Sequence, residues 1–90
     1  MASSSRYRVE LTARAERDLE QIGDAKERAR LLSRLAGLCA DPRPPGSVKL
    51  SGTPEAYRIR QGNYRIVYHI RDAVRVVAVV RIGHRREVYR

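Results

Sequence analysis

The period of the apolar residues changes sharply in the middle of this chain, and that change limits the folds open to it. After a short alternating start, apolar side chains recur every three or four residues from Ala15 to Ala40; from Tyr57 onward they alternate. Between the two regimes lies Asp41-Pro42-Arg43-Pro44-Pro45-Gly46-Ser47, whose prolines remove backbone donors and stop a helix. That stretch is too short to link two domains. A helical half followed by a β half, within 90 residues, calls for an α+β layer structure.

The elements can be placed from local signals. Tyr7, Val9 and Leu11 alternate with Arg6, Arg8 and Glu10, which reads as a half-buried strand. Thr12 then caps a helix over residues 13–22, with Ala15, Leu19 and Ile22 on its apolar face. Gly23 suits the left-handed position that closes such a helix. Asp24, with Glu27 three residues on, fits a capping box for a second helix over residues 25–40. Its apolar face carries the Arg28 stem, Leu31, Leu32, Leu35, Leu38 and Cys39. The β half offers strands over residues 57–60, 64–70 and 74–82, the first two joined at Gln61-Gly62-Asn63. Residues 76–80 are apolar on both faces, as a central strand requires, and Gly83 is read as ending that strand. The predicted order is β-α-α-β-β-β, a helical hairpin on one face of a small, mainly antiparallel sheet. Residues 6–90 are expected to form one domain, with residues 1–5 a flexible tail.

Composition narrows the chemistry. The single Cys39 excludes an internal disulfide framework, and two histidines with one cysteine make no metal site. No apolar run approaches the ~20 residues of a membrane span, and no secretory signal pattern opens the chain, so a cytoplasmic protein without metal or cofactor is expected. The net charge is +9, and its distribution is uneven. Residues 1–47 carry a balance of +2, whereas residues 48–90, with ten basic and three acidic side chains, carry +7. Of the 19 basic residues, 17 are arginine, whose planar fork grips phosphate in pairs of hydrogen bonds.

Two helices shield only one face of a sheet. Strand alternation sends Arg58, Arg60 and Arg65 to the face opposite Tyr57, Ile59, Tyr64, Ile66, Tyr68 and Ile70. Arg81 is assigned to that open face together with Arg75, Val77 and Val79, and His84, Arg85, Arg86 and Tyr89 follow directly. Exposed sheet faces are commonly polar, and arginine guards strand edges against aggregation, which accounts for any one of these residues alone. Their convergence points to a polyanion such as RNA. His69 is read as a surface or cross-strand residue, and Tyr7, Tyr57, Tyr64, Tyr68 and Cys39 as core.

Three segments stand in register: Lys49-Leu50-Ser51-Gly52-Thr53-Pro54-Glu55-Ala56-Tyr57-Arg58-Ile59-Arg60, then Gly62-Asn63-Tyr64-Arg65-Ile66-Val67-Tyr68, then Val80-Arg81-Ile82-Gly83-His84-Arg85-Arg86-Glu87-Val88-Tyr89. Together they resemble the RelE family of prokaryotic toxins. The resemblance spans residues 7–90. It implies the fold just derived and the toxin of a type II toxin–antitoxin system, a metal-independent mRNA endonuclease acting in the ribosomal A site. In such a reaction the message's 2′-hydroxyl attacks its own phosphate. By the same resemblance Arg65 stabilises transition-state charge. Arg85 binds phosphate or assists the leaving group, and Tyr89 positions or deprotonates the hydroxyl. Arg58 and Arg60 stand where well-known members carry lysines; with no proton to give, they leave proton transfer to Tyr89 or His84. Together with Arg81 and Lys49 they are expected to bind RNA phosphate. The implied partners are the 70S ribosome, mRNA and an acidic, RelB-like or other antitoxin, in a higher-order hetero-oligomer. Two alternatives stand beside this reading: a ParE-like inhibitor of DNA gyrase without nuclease activity, and a non-catalytic basic RNA- or ribosome-binding module.

Overall fold

A computed structural model describes residues 6–52 and 55–84. The order is β1 (Arg8–Leu11), α1 (Ala13–Glu20), α2 (Ala25–Gly37), β2 (Val48–Lys49), β3 (Ala56–Gln61), β4 (Tyr64–Arg71) and β5 (Val76–His84). The five strands form one sheet in the order β1-β5-β4-β3-β2. Strand β1 runs parallel to β5, and all other pairs are antiparallel. The predicted α+β arrangement is therefore present, with one short strand, β2, added at the edge. The expected tail, residues 1–5, lies outside the described residues, as do Arg85 and Tyr89.

The helices form where caps and apolar faces agree. The Thr12 side chain accepts a hydrogen bond from the Ala15 amide at 3.1 Å, and Asp24 accepts from the Lys26 and Glu27 amides at 2.9 and 3.3 Å. Glu27 does not complete the capping box: it turns toward the β3–β4 turn, and its Oε1 would stand 3.1 Å from a Cβ at Gly62. Helix α1 ends at Glu20, two residues earlier than expected, with Gln21 in the right-handed region. Gly23 is not among the residues of positive φ, so its predicted left-handed role is not taken up. The Ile22 carbonyl is instead met by the Arg28 guanidinium. Leu31, Leu35 and Leu38 are buried, whereas Leu32, assigned to the same face by spacing, is half exposed.

The core lies between the helices and one face of the sheet. Ala15, Ile22, Leu31, Leu35 and Leu38 meet Ile59, Ile66, Tyr68, Ile70, Val77, Val79 and Ile82, with Tyr7, Tyr57 and Tyr64 packed partly buried against them. The buried Tyr68 hydroxyl donates to the Pro42 carbonyl at 2.8 Å, so the proline-rich connection closes one side of this layer.

Simple alternation fails in β5. Val67 pairs with Arg81 and Tyr68 with Val79, leaving Val80 as an inserted residue. Such a bulge resets the alternation. Val77 and Val79 consequently face the core with Ile82, whereas Arg81 shares the opposite face with Val67. The grouping of Arg81 with Val77 and Val79 is thus corrected, although Arg81 keeps its predicted face. Strand β5 also continues through Gly83 to His84 instead of ending before it, and it lies inside the sheet between β1 and β4, as its two apolar faces require.

Candidate functional site

The site is built on the β3–β4 hairpin and the end of β5. Gln61 and Tyr64 pair across a two-residue turn in which Gly62 has φ of +61°. Positive φ at the first turn position is what a glycine-first hairpin turn requires. This tight connection fixes the register that follows, with Arg60 opposite Arg65 and Arg58 opposite Val67. On the other side of β4, Arg65 pairs with Gly83, which adds no side-chain bulk beside it.

Three arginines therefore share the sheet face away from the helices, and they differ in exposure. Arg60 is exposed, Arg58 is half-buried, and Arg65 is only 6 % exposed, the one buried charged residue among those described. A guanidinium cannot shed its proton to relieve such burial, so it stays cationic. Charge in a water-poor setting acts more strongly on a ligand than the same charge in solvent. The face can thus hold an anion and stabilise charge that develops on it.

The other predicted site residues are placed differently. Arg81 is engaged within the chain: its Nε lies 3.2 Å from Asp18 Oδ2, which also accepts from the Ile82 amide at 3.0 Å. Asp18 further pairs with Arg14 at 3.1 Å. Strand β1 ends opposite Val79, so this carboxylate covers the edge of β5 beyond it and holds Arg81 to α1. Lys49 pairs with Tyr57, which puts its register position on the helix side, away from Arg58, Arg60 and Arg65. His84 pairs with Tyr64, also on the helix side, and the rings meet edge to face with centroids 5.9 Å apart. It therefore does not join Arg65, whose face is the other one. His69 is half-buried opposite Ala56 and Ala78.

Sequence reasoning missed two groups. One is a network at the far end of the sheet. Tyr7 donates to Asp72 at 2.5 Å, and Arg43 pairs with Asp72 at 2.9 Å while its Nε donates to the Tyr57 hydroxyl at 3.1 Å. The Arg43 bond, then that from Tyr7, hold the Asp72 carboxyl below the usual carboxylate range; the bond to Asp72 pushes the Tyr7 phenol up. These residues lie 29 and 65 positions apart, so no local pattern announces them. The other is Arg34 on α2, which lines a cleft of about 310 Å³ with Arg58 and Arg60. Its signal was present: Arg30 and Arg34 stand four apart on one helix, a like-charge spacing that an isolated helix disfavours.

Comparison with known proteins agrees with this geometry. Residues 9–89 match the family model described as the ParE toxin of the type II toxin–antitoxin system parDE. The chain is 31% identical over 87 residues to Toxin RelG of Mycobacterium tuberculosis, covering 93% of this chain and 97% of that protein. It is 33% identical over 87 residues to the mRNA interferase toxin RelE of Escherichia coli, covering 92% and 90%. Among solved structures, the isolated E. coli RelE toxin superposes with a TM-score of 0.76 at 32% identity, covering 92% of this chain and 90% of that one. The archaeal RelE–RelB complex of Pyrococcus horikoshii gives 0.80 at 25% identity, covering 91% and 98%. With Arg60 set opposite Arg65 on the sheet face away from the helices and a match along nearly its whole length, this chain belongs to the RelE/ParE superfamily of type II toxin–antitoxin toxins.

Proposed function

We propose that this chain is a metal-independent endoribonuclease that cleaves message in the ribosomal A site and so arrests translation. The observation that carries the reading is Arg65, a buried cation held in register between Arg60 and Gly83 on the open face. In the proposed reaction the 2′-hydroxyl oxygen forms a bond to the adjacent phosphorus, and the bond from phosphorus to the 5′ oxygen breaks. The hydroxyl proton is taken up by a base, and the leaving oxygen gains one. Negative charge builds on the phosphorane, where a preorganised guanidinium is most effective. Arg65 has that role, with Arg58 and Arg60 holding flanking phosphates. Arg85 and Tyr89, outside the described residues, are assigned phosphate binding and proton transfer. Because the His84 ring is packed against Tyr64 on the helix side, proton transfer is assigned to Tyr89 before His84.

The P. horikoshii relative is a RelE–RelB complex, and by extension this chain is held inactive by an acidic antitoxin that covers the arginine face in a higher-order assembly. The reaction places the protein in the cytoplasm with the ribosome. Among the described residues, no helix is long and apolar enough to cross a membrane. A second reading is favoured by one observation: the matching family model is that of ParE, which points to inhibition of DNA gyrase. One experiment separates the two. In a translation extract with end-mapped message, cleavage only when ribosomes are present supports the nuclease. Loss of gyrase supercoiling without cleavage overturns it in favour of the second reading.

A further inference from the structure

The cleft between α2 and the β3 edge is cationic on every side that carries charge. Helix α2 supplies Arg34, which sits where two hollows of about 310 Å³ each meet. One hollow is bounded by Arg30 and Gln61, the other by Arg58 and Arg60. No acidic side chain lines either one among the described residues. The Arg34 Nε is buried and has no hydrogen-bond partner among the described residues. A buried N–H without an acceptor is costly, and more so on a cation. Arg30 meets Glu27 only at 3.5 Å and stands four residues from Arg34, so the helix gathers two like charges on one side. The far wall is the 41–47 connection, which the Arg43 bonds to Asp72 and Tyr57 hold in place. The cleft therefore exists without a ligand to form it.

We propose that this cleft is a second anion subsite, centred on Arg34, that takes a backbone phosphate of an RNA strand whose neighbouring phosphates lie on Arg58 and Arg60. Those two arginines border both the cleft and the open sheet face, so one strand can pass from Arg65 around the β3 edge to Arg34. Among the described residues β2 pairs only with Tyr57 and Arg58, so the sheet ladder leaves the β3 edge free at Arg60. A phosphodiester suits the cleft better than a peptide carboxylate, since successive phosphates recur along a strand while carboxylates need an acidic run. This rests on the reading that the chain acts on RNA.

The test uses the full chain and a fluorescent twelve-nucleotide single-stranded RNA carrying 2′-O-methyl groups, which binds but cannot be cleaved. Arg34→Gln is expected to weaken binding about tenfold. It should also lower the slope of log affinity against log salt by about 0.7, one phosphate's share on a single strand. Arg34→Lys should retain the slope. Arg30→Gln, at an exposed position where folding is not at stake, should weaken binding in the same direction. Equal affinity and slope for wild type, Arg34→Gln and Arg30→Gln overturn the subsite. So does a loss confined to a twelve-residue polyglutamate peptide, which would make the cleft a carboxylate site. Wild type that binds no RNA also overturns it. Ribosome-dependent cleavage by wild type in the translation extract tells separately whether the ribonuclease reading survives any of these results.

Discussion

The two ends of the sheet use arginine in opposite ways. At the Asp72 end, Arg43 is matched by a carboxylate and two phenols of this same chain, although all of them sit near the surface. At the Gly62 end, Arg58, Arg60 and Arg65 stand in register, and none has a carboxylate as its cross-strand partner. Directly opposed like charges weaken strand pairing. The Asp72 end ties its arginine into one network of this chain, whereas the register of the Gly62 end sets Arg60 directly opposite Arg65. A matched cluster fastens loops; arginines gathered side by side on one sheet face suit a partner that brings negative charge.

The contrast can be broken most sharply at Arg65. Arg65→Ala is expected to reduce message cleavage by about 10²–10³-fold, the usual loss for one charge-stabilising donor, and to relieve growth arrest. Circular dichroism should still show a cooperatively melting fold. Wild-type cleavage in a folded Arg65→Ala variant would remove this arginine from the site. The next residue in β4 points the other way, so Ile66→Ala should do the reverse: lower stability by about 2–5 kcal/mol in urea melts while each folded molecule keeps its activity. If both substitutions reduced only stability, the functional difference between the two faces would disappear.

A smaller effect is expected at the turn. Gly62→Ala places a side chain at φ of +61°, which costs about 1–2 kcal/mol, and crowds Glu27, whose flexible carboxylate can yield. An unchanged melting temperature would show that the turn relaxes and does not set the Arg60–Arg65 register.

The smallest effects belong to the compensated end, and pH reads them. Asp72 has a lowered pKa in the folded state, so its contribution is present above about pH 3.9 and is lost as pH falls through the folded value. Tyr7 has a raised pKa, so its contribution is present below about pH 10 and is lost as pH rises through the folded value. Burial pushes Tyr68 up to about 12, which adds to the alkaline loss. Tyr7→Phe should flatten part of the fall in melting temperature between pH 9 and 12, without changing cleavage at neutral pH. An identical alkaline profile would show that this network contributes nothing measurable.

Some of this molecule was legible without coordinates because the rules involved are local. Thr12 and Asp24 cap their helices through amides two or three residues away, and Tyr64, Ile66, Tyr68 and Ile70 share a face through the period of two. Arg58, Arg60 and Arg65 were placed together by that period alone, because no bulge intervenes in β3 and β4. Leu32 and His84 were misread because alternation and helical spacing do not say where a neighbouring element stops covering a face.

What the sequence by itself determined is the layer order, the arginine-bearing face and the excess of positive charge after Ser47, since each follows from residue type and short-range period. Tertiary structure alone decided the rest. The bulge at Val80 separates Arg81 from Val77 and Val79, Asp18 ties Arg81 to α1, and Arg34 is carried from helix to sheet edge. Each depends on groups far apart in sequence, and their meeting is set by the packing of the whole layer, which no local pattern encodes.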